Sequence, residues 1–107
     1  MARILIGEPS AEVRELLVRI LARLGHEPLV PNPDGEQPLP DIFLFEPEAD
    51  EFLSLAATLR RRRPELPLVI CSVCPPSAET RALAPVRHLL KPFVRAELVD
   101  ALETAAR

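Results

Sequence analysis

Five short apolar runs alternate with longer stretches in which apolar residues recur at helical spacing, and no other feature constrains the fold as strongly. Strands that alternate with crossover segments pair in parallel and carry helices on the sheet faces. Arg3-Ile4-Leu5-Ile6-Gly7 reads as the first strand, apolar on both faces as a central parallel strand should be. Ser10 is placed to cap the helix that follows. In that helix Val13, Leu16, Leu17, Ile20, Leu21 and Leu24 fall on one stripe, and Gly25 ends it.

Pro28-Leu29-Val30 is a weak second strand, residues 41–46 a third, Pro67–Ser72 a fourth and Val86–Leu90 a fifth. A helix is expected from about Asp50 to Arg62, with Phe52, Leu53, Leu55, Ala56 and Leu59 turned inward. Ser77–Leu83 has room only for a short helix between Pro75-Pro76 and Pro85. The last helix, Val94–Ala106, puts Leu98, Val99, Leu102 and Ala105 on its inner stripe. With no internal repeat and no linker, residues 1–107 read as a single five-stranded α/β domain.

Between the second and third strands the pattern breaks. Residues 31–40 contain four prolines, at 31, 33, 38 and 40. An interior proline costs a helix about 3 kcal/mol, so this crossover is reduced to one turn at most.

The composition excludes several classes. At 48% apolar and 27% charged the 107 residues are globular and long enough for a useful core. No apolar stretch reaches the length of a membrane span, and Met1-Ala2-Arg3 runs straight into a strand. The expectation is a cytoplasmic domain with no membrane partner. The net charge is −3, and the one basic run, Arg60-Arg61-Arg62-Arg63, falls where a helix end favours cations. With four Phe and no Trp or Tyr, stacking platforms for nucleic acid are scarce, so no nucleic-acid partner is expected. Cys71 and Cys74 form a C-x-x-C. Such redox pairs usually open a helix, whereas Cys71 lies in an apolar strand and Pro75-Pro76 follow Cys74. A thiol-redox protein using this pair is an alternative from another class. Zinc would need further ligands, and His26 and His88 are the only histidines.

In open α/β sheets functional groups gather beyond the carboxyl ends of the strands. Here those ends carry Glu8 after the first, Glu46 after the third, Ser72 on the fourth and Lys91 after the fifth. With them the chain resembles a response-regulator receiver domain, the flavodoxin-like module of two-component and phosphorelay signalling. The segment Ile4–Leu17 is similar to that family's opening strand, acidic turn and first helix. Asp41–Glu46 is similar to the strand that ends at the phosphoacceptor, and Leu66–Ser72 to the strand that ends in Thr or Ser. Leu89-Leu90-Lys91-Pro92-Phe93 resembles the Lys-Pro-Phe that closes the site, often with a cis bond before the proline.

The resemblance implies a doubly wound parallel sheet of order 2-1-3-4-5. It implies that two acids and the phosphoacceptor Asp hold Mg²⁺ through oxygen ligands. The metal and the lysine then neutralise an incoming phosphoryl group. The strand-four hydroxyl contacts that group and moves inward, an aromatic on strand five follows, and the partner-facing surface changes.

This chain departs from that pattern. Only Glu8 remains of the acidic pair, because Pro9 takes the second position. Glu46 stands where the Asp nucleophile would be, its oxygens roughly 1 Å farther out, a misplacement that harms in-line attack. His88 takes the place of the switch aromatic. The Mg²⁺ site is therefore expected to be lost, leaving no cofactor. Glu46 is either a standing phosphate mimic paired with Lys91 or a solvated relic, and an unusual but phosphorylatable receiver is a further alternative. The reading is a non-enzymatic, degenerate receiver, or pseudo-receiver, acting by contact with signalling proteins such as a kinase or an output protein. By resemblance the contact surface is the last two helices and the last strand. The sheet face thinned by the proline segment, including Ile42–Phe45, is expected to be covered by a partner, a second copy in a homodimer, or the collapsed proline loop.

Overall fold

The computed structural model describes residues Met1–Arg107. Strands β1 (Arg3–Gly7), β2 (Glu27–Leu29), β3 (Ile42–Phe45), β4 (Leu68–Ser72) and β5 (Arg87–Leu90) form one parallel sheet in the order β2-β1-β3-β4-β5. Helices α1 (Ala11–Arg23), α2 (Asp50–Arg62), α3 (Ala78–Ala82) and α4 (Arg95–Ala105) complete the fold. The alternation of the sequence thus becomes a doubly wound α/β sheet. No helix is long and apolar enough to cross a membrane.

Side chains of opposite parity enter two cores, as the two-residue period of a strand requires. On one face Ile4, Ile6, Ile42, Leu44, Val69 and Leu89 meet Leu17 and Leu21 of α1 and Leu98, Ala101, Leu102 and Ala105 of α4. On the other, Leu5, Phe43, Phe45, Leu68 and Ile70 meet Ala56 and Leu59 of α2 together with Leu66. Phe43 and Phe45 stack with ring centroids 4.6 Å apart.

Local chemistry sets the ends of α1. The Ser10 hydroxyl accepts from the Val13 N–H at 3.4 Å. Gly25 just beyond has φ +88°, the left-handed stop that glycine adopts without steric cost. Gly7 closes β1 for a different reason. A Cβ there would lie 2.9 Å from both Phe45 Cβ and Phe52 Cγ, so only glycine lets α2 sit this close to the strand end.

Two stripes differ from their sequence-based assignment. Leu16 is 52% exposed, and α1 buries Leu17 and Leu21 with Val13, Ile20 and Leu24 packed partly against them. In α4 the buried position is Ala101 rather than Val99.

The proline segment forms no helix. A turn at residues 33–35 is held by the Asn32 side chain, which accepts from the Asp34 N–H at 3.1 Å. The Gln37 amide bonds the Asn32 backbone in both directions, accepting at 2.7 Å and donating at 2.5 Å. The expected bare apolar face is not there. Phe43 and Phe45 on this face are 0–1% exposed, covered by Ala56 and Leu59 of α2 with Leu29 packed against them, while Ile42 and Leu44 are buried on the opposite face. What remains is a cleft of about 650 Å³ bordered by Arg14, Val30, Asn32, Gln37, Phe52 and Leu55.

Candidate functional site at the strand ends

Register decides which groups meet. Gly7 pairs with Phe45, so Glu8 and Glu46 leave neighbouring strands side by side. Ser72 pairs with Leu90, which puts Lys91 one step beyond it on the adjacent strand. Backbone bonds extend both ladders into the site, from the Glu46 N–H to the Gly7 carbonyl at 2.8 Å and from the Lys91 N–H to the Ser72 carbonyl at 2.7 Å. The Lys91–Pro92 peptide is cis.

The ammonium of Lys91 stands between two carboxylates. It donates to Glu8 Oε1 at 2.6 Å and to Glu46 Oε1 at 3.0 Å. Glu8 is buried, and its second oxygen accepts from the Ser10 N–H at 3.0 Å at the start of α1. A buried carboxylate is tolerable only with such partners. Arg14 fastens the same turn by donating to the Glu8 carbonyl at 3.0 Å. Burial works against the charge on Lys91, but hydrogen bonds to Glu8 and Glu46 and their negative charges outweigh it. Its pKa is therefore raised above the ordinary 10.5. Lys91 is also the only lysine of the chain; the remaining basic residues are arginines.

This donor set does not suit magnesium. Both Glu8 oxygens already accept from nitrogen donors, Glu46 accepts from the same ammonium, and Pro9 has no ligating side chain. No group of three or more His, Cys, Asp or Glu side chains is arranged to hold a metal ion.

Ser72 is not bonded to Lys91 through its side chain. Its hydroxyl donates to Glu48 Oε1 at 2.5 Å and accepts from the Cys74 N–H at 2.9 Å. Glu48 is the site residue that sequence reasoning missed. The available signal was Glu46-Pro47-Glu48 itself, in which a proline turn can bring a second carboxylate back over the strand ends.

His88 Nε2 lies 2.9 Å from the Cys74 carbonyl, while its Nδ1 is shielded and has no partner. The two cysteines are free thiols, Cys71 buried and Cys74 exposed. Burial pushes the Cys71 thiol up to about 12, the reverse of what a thiolate nucleophile needs. In the arginine run, Arg60 donates to the Pro64 carbonyl at 2.9 Å and Arg63 to the Pro40 carbonyl at 2.6 Å. Two of its four guanidiniums are thus engaged in closing loops.

No family model and no curated protein matches the chain. Solved structures match it closely in shape. The chemotaxis protein CheY4 of Vibrio cholerae has a TM-score of 0.82 at 18% identity, covering 98% of each chain. The response regulator TrrA of Thermotoga maritima, solved with Mg²⁺ and a beryllium fluoride, has a TM-score of 0.73 at 19% identity over 98% of this chain and 99% of that one. NtrX of Brucella abortus, solved in complex with ADP, has a TM-score of 0.80 at 24% identity. That match covers 98% of this chain but 26% of NtrX, so the present chain spans about a quarter of that protein. The fold is the CheY-like fold of response-regulator receiver domains. Within it, Glu8 and Glu46 follow β1 and β3, the two strands between which the sheet order switches direction, and Lys91 reaches both from the end of β5.

Proposed function

We propose that the chain is a receiver-type signalling module that works by protein–protein contact and without phosphorylation of its own. The observation that carries this reading is the clamp on Lys91. The lysine that would meet an incoming phosphoryl group already bonds two carboxylates of its own chain. A dianionic donor would meet one cation against Glu8 and Glu46, with Glu48 close behind on Ser72. With Lys91 already engaged by two carboxylates, Pro9 in place of a second acid and Glu46 one methylene longer than Asp, phosphoryl transfer would lack both its electrostatic support and a correctly placed nucleophile.

Glu46 supplies part of what a phosphoryl group would supply. It offers Lys91 one negative charge where a phosphoryl group carries nearly two, and fewer acceptor oxygens. The module is accordingly held in one state rather than switched. Its contact surface is α3, β5 and α4, where Val86, Leu90 and Val94 leave 42, 51 and 62% of their surface exposed. Partners of this kind are signalling proteins, a kinase or an output protein among them.

Incubation with Mg²⁺ and a small phosphodonor such as acetyl phosphate, read by intact mass, tests the proposal. The expected result is no phosphoryl adduct. Stoichiometric incorporation on Glu46 would overturn it.

A further inference from the structure

Ser72 is completely buried, and a buried hydroxyl without partners costs free energy. Its partners come from two other parts of the fold. One is Glu48, on the turn after β3, at 2.5 Å, a length typical of a hydroxyl donating to a carboxylate. The other is the N–H of Cys74 in the segment after β4, at 2.9 Å. The Cys74 carbonyl in turn meets His88 on β5. A chain of hydrogen bonds therefore runs from the end of β3, through the end of β4, to β5. It passes through the segment that carries Val73, exposed at 66%.

We propose that Glu48 is a positioning residue, a built-in carboxylate ligand of Ser72 that holds the segment 73–77 in one place. Together the two glutamates then satisfy both donors at the strand ends, Glu46 for Lys91 and Glu48 for Ser72, so the pocket is filled by anions of its own chain. The inference rests on the functional reading above and adds a residue to it. Glu46 bonds Lys91 through one oxygen at 3.0 Å, and the hydroxyl of Ser72 finds its carboxylate instead on the turn, at Glu48.

Amide hydrogen exchange and ¹⁵N spectra of the intact chain test the proposal. In Glu48→Ala the Cys74 amide should exchange at least about tenfold faster than in wild type, a loss of about 1.4 kcal/mol of local protection. Amides of β1 should be unchanged. Glu48→Gln, whose carbonyl accepts the same bond, should largely restore Cys74 protection, and Glu48→Asp, one methylene short, should not. A folded Glu48→Ala with wild-type protection at Cys74 overturns the proposal, as does failure of the Gln variant to restore it. Should Glu48→Ala not fold, Glu48→Asp carries the same comparison.

A second readout concerns the filled pocket. Inorganic phosphate titrated into Glu46→Ala/Glu48→Ala should shift the Cys74 and Lys91 amides saturably, with at least about tenfold tighter binding than wild type. Equal phosphate binding by wild type refutes the idea of a self-filled pocket. These outcomes are independent of phosphodonor labelling: an adduct on Glu46 would sink the functional reading, while an indifferent Cys74 amide would sink the role of Glu48.

Discussion

Lys91 concentrates the electrostatics of the molecule in one side chain. Its pKa is raised in the folded state, so the fold holds that proton more tightly than the unfolded chain does. The corresponding stability is complete below 10.5 and is lost as pH rises through the higher folded value. Cys71 acts in the same direction from a lower starting point. Its thiol moves from 9.0 to about 12, so unfolding is favoured once the unfolded thiol begins to ionise above 9.0. Below the ordinary histidine value of 6.5 the lowered pKa of His26 brings a separate loss. Unfolding free energy measured by urea should therefore be level from above 6.5 up to 9.0 and decline beyond it. In Cys71→Ala the decline should begin only above 10.5, and in Cys71→Ala/Lys91→Met it should be absent. The chain has no tyrosine and no other lysine to blur the comparison.

Elements in this protein are delimited by their end residues, and α3 shows the cost of doing so in little space. Its five residues are capped by Ser77 and Thr80, which exchange bonds at 3.2 and 2.9 Å between side chain and backbone. The chain must then turn at once into β5, and Ala84 takes φ +50° to do it. A non-glycine residue in the left-handed region costs roughly 1–2 kcal/mol, partly offset in a glycine variant by added freedom of the unfolded chain. Ala84→Gly should thus be neutral to stabilising by up to about 1 kcal/mol in urea denaturation, whereas most changes at a helix end destabilise.

Element by element, much of this was legible beforehand. Ser10, Gly25, Pro75-Pro76 and Pro85 mark boundaries through their own backbone chemistry, which needs no tertiary partner, and α2 falls on Asp50–Arg62 as its spacing predicts. Which flank of a stripe is buried was less legible. Leu16 and Leu17 are equally apolar, and only the docking of α1 on the sheet leaves one exposed and buries the other. The site shows the same division. Glu8, Glu46, Ser72 and Lys91 could be picked out because each ends a strand. Glu48 could not, since its contact with Ser72 depends on how the turn after β3 folds back.

At the scale of the whole molecule, the sheet is most secure in its middle. β1, β3 and β4 are flanked on both sides, whereas β2 has three residues and β5 exposes Arg87 and Leu90 along the edge. Native-state hydrogen exchange should rank β1, β3 and β4 as the slowest amides, with β2 opening at the lowest free energy because no helix follows it. Equal protection of β2 and β3 would show that the proline segment braces the edge as well as a helix would.

The sequence by itself determined the class of fold, since the two periods of apolar residues are local and alternate without exception outside residues 31–40. It also determined that the crossover there could not be a helix, because proline acts on its own backbone. Tertiary structure decided what the sequence left open. It closed the thinned face within the chain, since α2 and Leu29 lie near enough to bury Phe43 and Phe45. It also set Lys91 between Glu8 and Glu46 and gave Ser72 to Glu48, because a parallel register aligns the ends of strands that lie up to 83 positions apart in the chain. Propensity acts over a few residues, whereas a charge finds its partner only after the sheet has brought distant strand ends to one edge.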